Sequence, residues 1–103
     1  MAGMYGAVAK LQVKAGQEKV VRQIFNEWEK QAQPIEHGVN SAYLIGSGDG
    51  EGSFYLVVTY ESQDAWQSVT DNAAEQRWEH RLAEHLESMP QWQSGQIVAT
   101  IEG

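Results

Sequence analysis

From Met4 to Val13 the residues Tyr5, Ala7, Ala9, Leu11 and Val13 alternate with Val8, Lys10 and Gln12, a period of two that predicts a strand with one face more apolar than the other. Ala15 and Gly16 break the run. From Gln17 to about Gln33 the apolar positions Val20, Val21, Ile24, Phe25, Trp28 and Ala32 fall within an arc of roughly 140° at helical spacing, which predicts a helix with one buried face. Pro34 ends it, because the residue before proline disfavours helical geometry. Two runs rich in β-branched and aromatic residues follow, Val39 to Ile45 and Phe54 to Tyr60, separated by the glycine-rich segment 46–53, and they predict an antiparallel hairpin. Ser62 is placed to cap a second helix, with Asp64 in its first turn where the helix dipole favours a negative charge. This helix opens with Trp66 and Val69, is interrupted near Asp71 and Asn72, and resumes from Ala73 to Ser88. Gln96 to Ile101 supplies a last short strand.

The order β-α-β-β-α-β predicts an α+β, ferredoxin-like sandwich occupying residues 1–103 as one domain, a four-stranded antiparallel sheet with both helices on one face. The run Phe54 to Tyr60 changes that picture. Phe54, Leu56, Val58 and Tyr60 point one way, and Tyr55, Val57 and Thr59 the other, so this strand is apolar on both sides. Helices cover only one face, and the other would be a larger apolar patch than a monomer normally exposes. Sheet-to-sheet packing in a homodimer removes the problem.

Composition narrows the function classes. Seven Lys and Arg against fourteen Asp and Glu give a formal net charge of −7 over 103 residues, which disfavours nucleic acid and anionic membrane as partners. There is no Cys, so thiolate metal sites, disulfides and cysteine nucleophiles are excluded. No run approaches a membrane span, and Met1 to Met4 lacks the basic segment of a secretion signal, so a cytoplasmic location is expected. Four Trp, four Tyr and two Phe are enough either to fill a small core or to wall a pocket.

Three stretches carry a resemblance to a known family: Ala7 to Glu18, where a strand runs into a turn and helix; Val57 to Trp66, the junction Val-Val-Thr-Tyr-Glu-Ser-Gln-Asp-Ala-Trp; and the closing helix with Arg77, Trp78 and Leu82. The chain resembles the antibiotic biosynthesis monooxygenase-like (ABM) domains of the dimeric α+β barrel superfamily. The resemblance implies a homodimer and, among the family's activities, cofactor-free oxygenation of aromatic polyketides or quinols, or haem degradation. The segment Val69 to Gln76 departs from the short Ser-Pro-His type turn of many members, so no family site there carries over. Haem-degrading members share an Asn on the first strand, and this chain has none between Met4 and Val13, which argues against haem as a cofactor.

Candidate chemistry starts from the histidines. Relative to Trp78 on a continuous last helix, His85 falls about 20° away, within the apolar stripe, and His80 about 200° away, in solvent. The two imidazoles diverge by about 140° and form no paired metal site. His85 has two readings: a histidine bonded to a backbone carbonyl, or a polar group in an aromatic pocket acting as general base, ligand partner or haem ligand. Phe25, Trp28, Trp66 and Trp78 are expected to face the sheet, either as core or as the wall of a pocket for a flat aromatic ligand opposite the small Ala7 and Ala9. In that pocket His85 would serve as base, and Tyr43, Tyr55 or Arg81 would hold the substrate oxyanion. The alternating glycines of 46–50 precede a strand rather than a helix and so do not form a phosphate loop, and Asp49 with Glu51 is too small a set for calcium.

The expected function is a cofactor-independent monooxygenase acting on a small phenolic, quinol or polyketide-like compound. The alternatives are a non-catalytic ligand-binding or stress-response dimer and a haem-binding or haem-degrading protein.

Overall fold

A computed structural model of the chain describes residues 3–48 and 52–101. Its elements run β1 (Tyr5–Gln12), α1 (Glu18–Ala32), a single 3-10 turn (Pro34–His37), β2 (Val39–Gly46), β3 (Ser53–Tyr60), α2 (Gln63–Thr70), α3 (Ala73–Ala83) and β4 (Gln91–Gln96). The strands form one antiparallel sheet in the order β2-β3-β1-β4, the ferredoxin-like arrangement. The glycine-rich segment joins β2 to β3, but Asp49, Gly50 and Glu51 lie outside the described residues, and the calcium reading falls on them.

Register explains the two faces. Ala7 pairs with Val58, Ala9 with Leu56 and Leu11 with Phe54, and all six are buried beneath the helices. Helix α1 presses Val21 and Ile24 onto this layer. The intervening positions Val8, Lys10, Tyr55, Val57 and Thr59 point away from the helices, as do Tyr43 and Ile45 on β2. That second face carries Tyr43 at 55% and Ile45 at 48% exposure, so two-sided apolarity is a property of the folded sheet as well as of the sequence.

The expected interruption near Asp71 is a true break. Ser62 caps α2 by accepting the Ala65 N–H at 3.0 Å, and Asn72 caps α3 by accepting the N–H groups of Ala74 and Glu75 at 2.8 and 3.3 Å. The helix layer therefore contains three α-helices rather than two.

Two expectations are corrected. The second helix stops at Ala83 instead of Ser88, because the chain beyond it pairs with the end of β1: Lys14 N–H donates to His85 O at 2.9 Å, Glu87 N–H to Gln12 O at 2.8 Å, and Leu86 bridges Val13. These bonds satisfy backbone groups at the strand end while Leu86 is buried. The last strand is Gln91–Gln96 rather than Gln96–Ile101. Its sequence, QWQSGQ, has no apolar alternation because all six side chains are exposed, and it is a strand by virtue of pairing from Tyr5 opposite Gln96 to Lys10 opposite Gln91. The aliphatic residues after it mostly lie free of the sheet, with Val98 at 92% and Ile101 at 100% exposure.

One glycine is demanded by the path of the chain. Gly38 has φ +103° after the 3-10 turn, and a Cβ there would stand 2.7 Å from Ala65 Cβ. Gly38→Ala combines backbone strain with a collision between the β2 entry and α2, and is expected to cost roughly 3 kcal/mol. For a domain of this length that lowers the thermal midpoint by about 12 °C or more. Circular dichroism melts check it, and a midpoint within about 2 °C of the parent would contradict the close approach.

Candidate functional site

The helix layer does not close fully on the sheet. A cavity of about 280 Å3 lies between them, just below the usual range of roughly 300–1,000 Å3 for small-molecule sites. Its floor is the apolar side of the sheet, with Ala7 and Leu11 from β1 and Leu56, Val58 and Tyr60 from β3. The small side chain of Ala7 leaves room that a larger residue would fill.

The walls are aromatic for reasons of helical phase. On α1, Val21, Ile24, Phe25 and Trp28 recur at three- and four-residue spacing and share one side of the helix. On α3, Glu75, Trp78, Glu79 and Leu82 do the same. Helix α2 contributes Trp66, whose ring centroid lies 4.9 Å from that of Tyr5. Trp92 lines the cavity from β4, the edge strand, and is 36% exposed. All four aromatic residues expected to face a ligand, Phe25, Trp28, Trp66 and Trp78, therefore line this one cavity.

The polar groups on the wall are not those the sequence pointed to. The α1 residue Trp28 donates its Nε1–H to Glu75 Oε1 on α3 at 2.6 Å, a short charge-assisted bond across the helix layer. Burial is the main cause that raises the proton affinity of Glu75 above the usual carboxylate range, and the neighbouring Glu79 adds to it. The Trp28 hydrogen bond and the charge of His37 pull the other way. Tyr60 is pushed up to about 12, first by burial and then by Glu75 and Glu79. Its phenol thus stays a hydrogen-bond donor throughout the physiological range. In a mostly aromatic and aliphatic lining that also includes Thr70, Gln76 and Glu79, Glu75 is an acceptor held by Trp28 and Tyr60 is a retained donor.

His85, Tyr43, Tyr55 and Arg81 stand elsewhere. His85 lies beyond the end of α3, so the helical phase that placed it in the apolar stripe does not apply; its Nδ1 donates to Gln17 Oε1 at 2.9 Å, at the start of α1. Tyr43 and Tyr55 occupy the alternate register positions of β2 and β3 and point from the face opposite the helices. Arg81 bonds Glu27 Oε2 through Nη2 at 2.5 Å, and its guanidinium carbon sits 5.1 Å from the centre of the Trp78 ring, so it braces the back of a cavity wall and ties α3 to α1. None of the four is among the cavity's lining residues.

Glu75 and Tyr60 are the site residues that the sequence reading does not single out. A wheel places Glu75 about 20° from Leu82, which was signal enough to seat a carboxylate in the apolar stripe. Among the described residues no group of three or more metal-ligating side chains converges, and no helix is long and apolar enough to cross a membrane.

Comparison with known proteins agrees with the architecture. The family described as antibiotic biosynthesis monooxygenase matches residues 4–81. SnoaB, a cofactor-independent oxygenase from Streptomyces nogalater, superposes with a TM-score of 0.81 at 13% identity, covering 99% of this chain and all of that one. A Caulobacter crescentus protein provisionally named an antibiotic biosynthesis monooxygenase gives 0.80 at 20% identity, over 95% and 92% of the two chains. The haem-degrading protein Rv3592 of Mycobacterium tuberculosis gives 0.74 at 17% identity over the whole of both. At these identities the likeness is one of fold. No curated protein matches the sequence.

Proposed function

The chain belongs to the antibiotic biosynthesis monooxygenase family, and from that premise we propose that it is a cofactor-independent monooxygenase of small, flat, hydroxylated aromatic compounds. The observation that carries this reading is the aromatic cavity of about 280 Å3 with the Trp28-held carboxylate of Glu75 and the phenol of Tyr60 in its wall. Such chemistry asks little else of a protein. An enclosed apolar site holds the ring and excludes bulk water, and a base converts the substrate to an electron-rich anion that reacts with dioxygen directly. For an anthrone the balance closes without a reductant: the ring CH2 becomes a carbonyl, one oxygen atom of dioxygen enters the product, and the other leaves as water with the two hydrogens.

The lining residues do not suit iron-bound haem. Among the described residues the cavity wall offers no imidazole, thiolate or thioether, and the phenol of Tyr60 keeps its proton.

The partner in this reading is a second copy of the chain, packed through the sheet face that carries Val8, Tyr43, Ile45, Tyr55 and Val57. What supports it is the apolar character of that face together with the family's dimeric barrel architecture. Tyr43 and Tyr55 then belong to the subunit interface and not to the chemistry.

The test is oxygen uptake over a panel of anthrones and hydroquinones. Uptake above the spontaneous rate, accompanied by quinone formation, is expected for at least one of them. Tight binding of these compounds with no uptake would favour the non-catalytic ligand-binding reading instead.

A further inference from the structure

We infer that Glu75 is the residue that takes the proton from the hydroxyl group of the bound aromatic, with Trp28 as its positioning residue and Tyr60 as the donor that holds the resulting oxyanion. This rests on the monooxygenase reading of the cavity and gives it a base that family membership alone does not.

The geometry carries the assignment. Glu75 lines the cavity from the first turn of α3, where Asn72 fixes the backbone by accepting the Glu75 N–H at 3.3 Å. One carboxylate oxygen, Oε1, is held by Trp28 Nε1 at 2.6 Å, which restrains the group, and Oε2 is the oxygen assigned to the ligand. Trp28 is itself a cavity wall, so a ring stacked on its face lies beside the carboxylate that its edge orients. The step balances simply: the O–H bond of a hydroquinone, or of the enol form of an anthrone, breaks, its electron pair stays on the substrate oxygen, and the proton passes to Oε2, leaving Glu75 neutral. The Tyr60 O–H, retained as a donor, then faces the new negative charge from the sheet side.

The groups around Glu75 determine its pH behaviour. Trp28 faces it from α1, Tyr60 from β3 and Glu79 from its own helix, and His37 acts on it from the 3-10 turn. Base catalysis needs the ionised carboxylate, so activity falls as pH drops through a value above the ordinary glutamate range. Removing the Trp28 hydrogen bond, which favours the ionised form, moves that acid limb to higher pH.

Two variants and two readouts test this. With an anthrone or hydroquinone that the wild-type protein oxidises, Glu75→Gln is expected to lower kcat by roughly a hundredfold or more with little change in KM. Trp28→Phe keeps the wall but loses the N–H, and is expected to lower kcat less while shifting the acid limb upward. A Glu75→Gln enzyme with wild-type kcat and an unchanged pH profile overturns the assignment. The second readout needs no turnover. Binding of 2-naphthol, followed by tryptophan fluorescence, should weaken as pH falls through the Glu75 limb in the wild type and be independent of pH in Glu75→Gln. A flat wild-type profile overturns the role of Glu75 whatever the activity, whereas a wild-type limb without oxygen uptake would count against the monooxygenase reading alone.

Discussion

At micromolar concentration the wild-type protein is expected to run as a dimer and Val57→Lys as a folded monomer. Val57 sits at the middle of the face opposite the helices, on the inner strand β3, directly between Val8 of β1 and Tyr43 of β2. In the single chain its side chain is only partly covered, so a lysine can reach water and the fold survives. In a face-to-face dimer two ammonium groups related by symmetry would be buried with no partner, at a cost of several kcal/mol, roughly enough to weaken association by a factor of a thousand or more. Light scattering should show the mass halved, while far-ultraviolet circular dichroism stays unchanged. A wild-type mass of one chain would overturn the dimer, and a two-chain mass kept by Val57→Lys would move the interface to another surface.

Filling the cavity is expected to weaken ligand binding while leaving the protein at least as stable. Ala7 lies on its floor, buried between Val58 on one side and Ser94 of β4 on the other. Ala7→Leu adds three carbon atoms at a point where the structure has space for them. In the free protein these atoms fill a void and the thermal midpoint holds or rises. With a ligand present they compete for its volume, and forcing apart groups that already touch costs about 1–3 kcal/mol, or roughly five- to more than a hundredfold in affinity for 2-naphthol. A destabilised variant with full affinity would place the ligand outside the cavity.

How far the sequence could be read depended on which physical signal held each part in place. Helix α1 and strand β3 are governed by side-chain burial, so the spacing of Val21, Ile24 and Trp28, and the alternation from Phe54 to Tyr60, predict them to within a residue or two. Strand β4 is governed by backbone pairing at a sheet edge, and QWQSGQ carries no pattern that reports it. The end of α3 follows the same rule: the stretch from Glu84 to Leu86 reads as helix until the unpaired end of β1 competes for its backbone. His85 follows the end of α3, so the helical phase that its spacing from Trp78 implies does not place it. The aromatic wall was legible, since Phe25, Trp28, Trp66 and Trp78 sit in phase on their elements. Its polar members were not. A lone sequence reads Glu75 as a surface charge, and only the approach of α1 to α3 turns it into a carboxylate beneath a tryptophan.

In the proposed reaction dioxygen attacks an aromatic compound held inside the cavity. Anthrone oxidised under 18O2 tests it most directly. The wild-type protein should form anthraquinone faster than the spontaneous reaction, with one labelled oxygen per molecule at the new carbonyl, and Ala7→Leu should fall back to the spontaneous rate. Unlabelled product formed by the wild type, or labelled product formed equally fast by Ala7→Leu, would contradict it.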